Sequence, residues 1–295
     1  MRAFASALFI GALLAASAAS AQNGPVQSTQ RVAEASSPDY SAVYCSSFVS
    51  DEKMPADSYL ISGEESDSKV VFARGDVVFI NKGSNQGVHV GDRYTVSRAE
   101  TDFVEVQWFK WQDKLLKAMG TIYRDKGQLR VTEVHPNVST AEVSFSCDYM
   151  QRGDIIRPFQ DRPSPPYKDA SKFEHFAPVS GKSVGMLVAG QDFSQEYGKN
   201  SLVYVNLGTN QGVSVGNYLR IFRYQGSHAE TAAYLDNYQD RIYGFGATPV
   251  RYQWNDLPRE VLGEGIVINV SRNAATIFVT YSRIEMFAGD YVEIE

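Results

Sequence analysis

The chain of 295 residues carries 28 Lys and Arg against 34 Asp and Glu, so its formal net charge is −6. No cluster of basic residues stands out in this acidic chain, which argues against nucleic acid as a partner. Beyond the N-terminal segment there is no apolar run of membrane length, and the remainder is long enough for two domains of ordinary size.

The first 21 residues have the pattern of a secretory signal peptide. Arg2 precedes an apolar run from Ala3 to Ala16, and small residues at 19–21 suit cleavage before Gln22. We therefore expect export to the periplasm or cell surface, with no membrane span after cleavage. The alternative is an uncleaved membrane anchor, for which the apolar run is short. Residues 22–39 are rich in Ser, Gln, Ala and Pro, which predicts a flexible leader.

The chain contains two cysteines, Cys45 and Cys147. In a protein exported to an oxidising compartment, this pair favours a disulfide bond. Such a bond closes a long loop and stabilises the fold by up to about 4–5 kcal/mol in the chain-entropy model. The alternative is a pair of buried thiols.

An internal repeat is the strongest feature of the sequence. Residues 76–98 recur as residues 201–223, with ten identical residues in 23 positions. The block begins with the short apolar segment Val77 to Ile80, which is typical of a buried strand. A polar turn follows, and Tyr94 and Val96 begin the next strand with a period of two. A repeat of this kind predicts two copies of one fold.

The turn residues of the repeat have a predicted structural role. Glycines at such positions supply positive φ or permit a close approach of two backbone segments. Their spacing differs from that of a dinucleotide-binding loop, so we expect no phosphate site. The turn residues are Asn81, Gly83, Gly87, Gly91 and Asp92 in the first copy and Asn206, Gly208, Gly212, Gly216 and Asn217 in the second.

A second pair of matching blocks, residues 129–156 and 265–292, closes each copy. Both consist of a strand, a polar turn and a strand, followed by a turn at Gly153-Asp154 or Gly289-Asp290 into a final strand. β-branched and aromatic residues dominate these periodic segments. We therefore predict a mainly all-β protein with two tandem small antiparallel β-barrels, each closed so that no free sheet edge remains.

Two aromatic segments between the paired blocks are the candidate binding surfaces. Alternation with polar residues favours a strand that reaches Trp108. Long aromatic loops on a rigid barrel are where binding usually lies, and the alternative is that the rings pack into the core. The first segment contains Trp108, Phe109 and Trp111, and the second, an insertion at residues 224–261, contains Tyr234, Tyr238, Tyr243, Phe245, Tyr252 and Trp254.

The two copies define the predicted domain boundaries. The first barrel is expected at residues 40–157 and the second, with its insertion, at residues 180–295. Residues 158–179 lie between them and contain five prolines. Proline blocks helices and central strands, so this segment is predicted to be a stiff linker.

No sequence pattern indicates catalysis, a cofactor or a metal site. The segment around Ser183 matches a nucleophile elbow, but that motif needs a strand before the serine and a helix after it. Here a proline-rich segment precedes the serine and a strand-like apolar run follows it. None of the four histidines has the spacing of a metal ligand. We expect a non-enzymatic protein; the alternative is a secreted hydrolase whose catalytic groups are dispersed along the chain.

The motif pattern resembles the C-terminal β-barrel domain of bacterial flagellar assembly protein T and related envelope proteins with LysM modules. The matching residues lie at 81–92 with Gly153-Asp154, and at 206–217 with Gly289-Asp290. Asn217 replaces the aspartate of the pattern, and no LysM segment is recognisable. The resemblance implies a small β-barrel in the cell envelope and no catalytic residue.

These features predict a scaffold or assembly factor of the cell envelope that binds a protein partner through the aromatic segments. The alternative is a protein that binds peptidoglycan or another glycan with the same rings. Saturable retention on cell-wall polymer separates the two hypotheses.

Overall fold

The two copies of the repeat each form one large and one two-stranded antiparallel β-sheet in a computed structural model of the chain, which describes residues 36–65, 68–100, 107–169, 173–224 and 258–295. The first copy contains the helices α1 (Tyr40–Tyr44) and α2 (Gln112–Met119) and the strands β1 (Phe48–Ser50), β2 (Leu60–Gly63), β3 (Val71–Phe72), β4 (Val77–Ile80), β5 (Arg93–Ala99), β6 (Thr121–Val134), β7 (Ser139–Ser146), β8 (Met150–Gln151) and β9 (Ile155–Pro158). The second copy contains the strands β10 (Val184–Gly190), β11 (Glu196–Tyr197), β12 (Leu202–Val205), β13 (Tyr218–Arg223), β14 (Glu260–Val270), β15 (Ala275–Ser282), β16 (Met286–Phe287) and β17 (Tyr291–Ile294). The predicted all-β class is confirmed.

The strands of the two copies are joined in the same order. The first sheet runs β2-β4-β7-β6-β5-β9, and the second runs β10-β12-β15-β14-β13-β17. Strand β1 is an addition to the first sheet and pairs with β6, where Phe48 lies opposite Tyr123. The repeat seen in the sequence is therefore a repeat of strand order, extending from β2 to β9 and from β10 to β17.

The two sheets differ in how their edges meet. In the second copy, β10 pairs with both β12 and β17, and the six strands form a closed barrel. In the first copy, one bridge between Tyr59 and Ile155 joins the edges. Three backbone hydrogen bonds of 2.9 Å accompany it, from Leu60 N to Asp154 O, from Gly153 N to Leu60 O and from Ile156 N to Ser58 O. The closed barrel is confirmed for the second copy, whereas the first is a seven-stranded sheet. Strand length is the reason, because β10 has seven residues and β2 has four.

Alternating burial along the strands gives each copy its own core. In β4, Val78 and Ile80 are fully buried, while Val77 and Phe79 are half-buried. The buried side chains of the first copy form one cluster around Leu129. The larger cluster of the second copy also takes in side chains from the first copy, so the two copies share part of a core.

Helix α2 was not predicted from the sequence. It is rich in residues that favour helices, among them Gln, Lys, Leu, Ala and Met, and it ends at Gly120, whose φ is +120°. Trp108, expected in a strand, lies in a bend before this helix. Residues 101–106, which hold the rest of that expected strand, are outside the described residues.

Buried side chains hold the first copy against the second, and a disulfide bond links two segments within the first copy. Val49, Phe109, Met119 and Ile122 of the first copy are buried in the core cluster of the second. The predicted disulfide between Cys45 and Cys147 is present, and it closes a loop with a sequence separation of 102. Neither helix in the described ranges has the length and hydropathy of a membrane span.

The segment predicted to be a linker is bonded to both copies. Arg162 donates hydrogen bonds of 2.6 and 2.9 Å to the buried Asp125 of the first copy. Lys168 lies 2.5 Å from the carboxylate of Glu264 and 2.6 Å from that of Glu295, both in the second copy. These contacts fix the described part of the segment against both sheets. The predicted domain boundaries themselves stay predictions.

Candidate functional site

The glycines of the repeat have two different structural uses. A Cβ at Gly83 would lie 2.1 Å from the carbonyl oxygen of His135, and a Cβ at Gly208 would lie 2.4 Å from that of Arg272. These two positions therefore permit close backbone approach, as only glycine does. The other predicted turn glycines have positive φ: Gly87 (79°), Gly91 (95°), Gly153 (87°), Gly212 (80°), Gly216 (90°) and Gly289 (102°).

The asparagines at the start of the turn tie it to the neighbouring strand. Asn81 Oδ1 accepts a hydrogen bond of 2.7 Å from the backbone N–H of Tyr59. Asn206 Oδ1 accepts one of 2.6 Å from the backbone N–H of Met186. Both asparagines therefore hold the turn beside the strand that begins their own copy.

The replacement of aspartate by asparagine in the second copy preserves the turn. Asp92 Oδ2 accepts a hydrogen bond of 2.9 Å from His89 N, and Asn217 Oδ1 accepts one of 2.9 Å from Ser214 N. The turn needs a side-chain oxygen and not a negative charge. The departure from the family pattern at Asn217 is thus structurally neutral.

The first aromatic segment is anchored in the second copy and leaves one ring exposed. Phe109 is 1% exposed and lies in the shared core, and Trp108 packs partly buried against the same cluster. Trp111 is 58% exposed. The structure thus divides the three predicted binding residues into two anchors and one surface residue.

Gly289 makes room for the Phe109 anchor. A Cβ at this position would lie 3.0 Å from Cγ of Phe109. The final Gly-Asp turn of the second copy therefore reverses the chain and also leaves space for the Phe109 side chain of the first copy.

Gln112, which belongs to no motif of the sequence, fixes the anchored segment. Its side chain is buried and accepts a hydrogen bond of 2.8 Å from Trp108 N with Oε1. Its Nε2 donates one of 2.8 Å to the carbonyl oxygen of Val188 in β10. No sequence signal marks this role, because a glutamine in a short amphipathic helix is usually on the surface.

The two aromatic segments occupy equivalent places in the repeat. The first lies between β5 and β6, and the second lies between β13 and β14. The structure describes the strands that flank the second segment, but Tyr234, Tyr238, Tyr243, Phe245, Tyr252 and Trp254 lie outside the described residues. The same is true of the predicted signal peptide.

The buried carboxylates lie in ion pairs. The buried Asp125 pairs with Arg162. Glu293 pairs with Arg259, and the side chains of these last two residues are both almost fully buried. Burial alone would raise the pKa of Glu293, but the hydrogen bond and charge of Arg259 hold it below its ordinary value. These acids therefore have structural partners.

Two other features bear on chemistry. Ser183 is exposed and directly precedes a strand, so it lacks the strand–serine–helix arrangement of a nucleophile elbow. Within the described ranges there is no group of three or more His, Cys, Asp or Glu side chains placed to hold a metal ion.

The sequence as a whole matches no protein-family model, and no curated protein matches it at significance.

Proposed function

We propose that this protein is a secreted, non-enzymatic module of the cell envelope that acts as a scaffold or assembly factor by binding a protein partner. The observation that carries the proposal is the exposed indole of Trp111, presented by a segment that is anchored in the shared core. Tryptophan is strongly enriched among the residues that dominate the energy of protein interfaces.

The backbone at Trp111 supports this assignment. Its φ is +71°, a left-handed conformation that a bulky side chain rarely adopts. Residues held in such conformations cost about 1–3 kcal/mol and are found where function requires a particular side-chain direction. The bonds that Gln112 makes to Trp108 and Val188 offset this cost and keep the indole at the surface.

Two further observations fit a binding role. Asp125 and Glu293 are buried and paired with arginines, so they serve the fold and neither is placed as a free general base. The disulfide between Cys45 and Cys147 is typical of an exported protein, as the signal-like N-terminal sequence also indicates.

Site-specific photo-cross-linking tests the proposal. The chain is expressed in its native host with a photoreactive phenylalanine analogue in place of Trp111, and with the same analogue at Val90, which is 67% exposed, as the matched control. We expect a discrete adduct with one envelope protein from position 111 and none from position 90. Equal adducts from both positions, or none from position 111, would contradict the proposal.

Co-sedimentation with purified peptidoglycan sacculi separates the glycan-binding alternative, which an exposed indole also suits because it can stack on a sugar ring. Saturable pelleting that Trp111→Ala abolishes would replace the protein-partner proposal with wall binding. If the wild type and Trp111→Ala pellet equally, or if neither pellets, the indole does not bind the wall and the protein-partner proposal stands.

A further inference from the structure

A cleft between the two copies carries an inference that does not depend on Trp111, which is not among its lining residues. The cleft has a volume of about 500 Å³. The first copy contributes Phe48 and Ile156, and the second contributes Val215 and Ile268. A volume of this size is typical of a small-molecule site, and the lining combines apolar side chains with polar and charged ones.

Arg157, on β9, brings a positive charge to this cleft. Its guanidinium carbon lies 4.7 Å from the centre of the Phe48 ring, and its buried Nε has no hydrogen-bond partner among the described residues. The side chain makes no ion pair with any residue in the described part of the chain. Burial lowers the pKa of Arg157, because desolvation disfavours the charged form, and the charge of Asp125 only partly opposes this shift. A half-buried cation without an ion-pair partner is costly, and a bound anion would relieve that cost.

The carboxylate whose charge acts on Arg157, that of Asp125, is already paired with another arginine. Asp125 accepts the two hydrogen bonds of Arg162, at 2.6 and 2.9 Å. Lys82 also lines the cleft, and within the described ranges its ammonium group likewise forms no ion pair. Two cations that form no ion pair with the described residues therefore line one cavity.

Two carboxylates line the same cleft and limit the charge that it can accept. Asp57 and Asp161 are both exposed, and their oxygens accept hydrogen bonds from Ser58 Oγ and Tyr44 Oη. Water and salt screen exposed charges more than buried ones. The local field therefore favours an anion at Arg157, but a dianion such as phosphate meets more repulsion than a single carboxylate does.

We propose that the cleft binds the carboxyl terminus of a peptide chain that ends in an apolar residue, with the carboxylate on Arg157 and Lys82. The planar guanidinium matches a carboxylate with two parallel hydrogen bonds. The apolar side chain of the terminal residue lies against Phe48, Ile156 and Ile268. Recognition of a chain terminus by its carboxylate is an established mode of peptide binding.

A matched pair of ligands tests the proposal on the full chain with its disulfide formed. N-acetyl-leucine and N-acetyl-leucinamide differ in the carboxylate alone. Each is titrated while the side-chain Nε–H signal of Arg157 is followed by NMR, after assignment with Arg157→Lys. We expect a saturable shift with N-acetyl-leucine and none with the amide. Equal shifts with the two ligands, or no shift with either, would overturn the proposal.

Variants locate the site and separate the sources of charge. Affinity for N-acetyl-leucine should fall about tenfold in Arg157→Gln, which corresponds to one lost charge-assisted contact, and by less in Lys82→Gln. Arg130→Gln, which removes an exposed arginine of β6, should leave the affinity unchanged. The Lys82 variant keeps the test valid if Arg157→Gln fails to fold. Inorganic phosphate that binds more tightly than N-acetyl-leucine at equal ionic strength would contradict the carboxylate assignment.

Discussion

The guanidinium of Arg98 lies against the carboxylate of Asp154, with Nε 2.6 Å from Oδ1 and Nη2 2.9 Å from Oδ2. Arg223 and Asp290 form the same bidentate pair in the second copy, with both distances 2.7 Å. Arg98 and Arg223 end the first matching block of the repeat, and Asp154 and Asp290 lie at the end of the second. The last identical residue of the first block and the last of the second thus bind each other in each copy. This pair joins β5 to the turn before β9, and β13 to the turn before β17.

Removal of either arginine should destabilise the fold strongly. Asp154 and Asp290 are buried, so Arg98→Ala and Arg223→Ala each leave a buried carboxylate without its partner. We expect each variant to lower the free energy of unfolding by about 3–5 kcal/mol, measured by urea denaturation at pH 7. Arg130→Ala, at an exposed arginine, should change it by less than about 0.5 kcal/mol.

The loss of stability caused by Arg223→Ala should depend on pH. Burial raises the pKa of Asp290, although the hydrogen bonds from Arg223 oppose that shift. Without Arg223 the pKa of Asp290 rises further. A carboxyl whose pKa is raised in the folded state stabilises the fold at low pH, and that contribution is lost as pH rises. Arg223→Ala should therefore lie closer to the wild type at acidic pH than at pH 7. A gap that widens on acidification would contradict this account.

The equivalent turn glycines Gly153 and Gly289 provide a matched pair of substitutions. Both have positive φ, so alanine should cost about 1–2 kcal/mol at either position. A Cβ at Gly153 meets nothing within 4 Å, whereas one at Gly289 crowds Phe109. Gly289→Ala should therefore cost at least about 1 kcal/mol more than Gly153→Ala, because it adds overpacking. Equal losses in thermal or urea unfolding would show that Phe109 does not depend on Gly289.

Loss of the disulfide should weaken the fold without a change of strand order. Cys45→Ser/Cys147→Ser should lower the free energy of unfolding by about 2–5 kcal/mol, since the bond closes a long loop. The wild type in reductant should match the double variant in urea denaturation, and reductant should have no effect on the variant. Two thiols labelled in the unfolded, unreduced wild type would refute the bond.

The ion pair of Asp148 with Lys126 should contribute to stability only above acidic pH. The two groups lie 2.6 Å apart, and the ammonium is almost fully buried. Burial alone would raise the pKa of Asp148, but Lys126 holds it below its ordinary value of 3.8. A lowered pKa stabilises the fold above the unfolded value and loses that contribution as pH falls through the folded value.

Asp148→Asn measures this contribution. The variant should be less stable than the wild type at pH 7, and the difference should shrink as pH falls below 3.8 in urea denaturation. In a background that carries Lys126→Met, the same substitution should have little effect. A difference that is constant from pH 7 to pH 3 would show that the charge of Asp148 is not the cause.

Local sequence signals predicted the strands and turns of both copies well. Val77–Ile80, the positive φ of Gly87 and the disulfide follow from short-range patterns and from cysteine count. Helix α2 was missed because its signal is only eight residues long and follows an aromatic run that favours a strand. The incomplete closure of the first sheet was missed because it depends on the length of β2, which the repeat pattern does not specify.

By itself, the sequence determined the β class, the internal repeat and the positions of its turns, because alternation, glycine and asparagine act through neighbours in the chain. Tertiary structure alone decided which of the three clustered aromatic residues, Trp108, Phe109 and Trp111, are buried and which is exposed. It buried Phe109 against Gly289 and left Trp111 exposed, although the two rings are only two positions apart. It also paired Asp125 with Arg162, while Arg157 forms no ion pair in the part of the chain that the structure describes. Burial and pairing of this kind depend on contacts between residues far apart in the chain, and short-range sequence patterns do not specify those contacts.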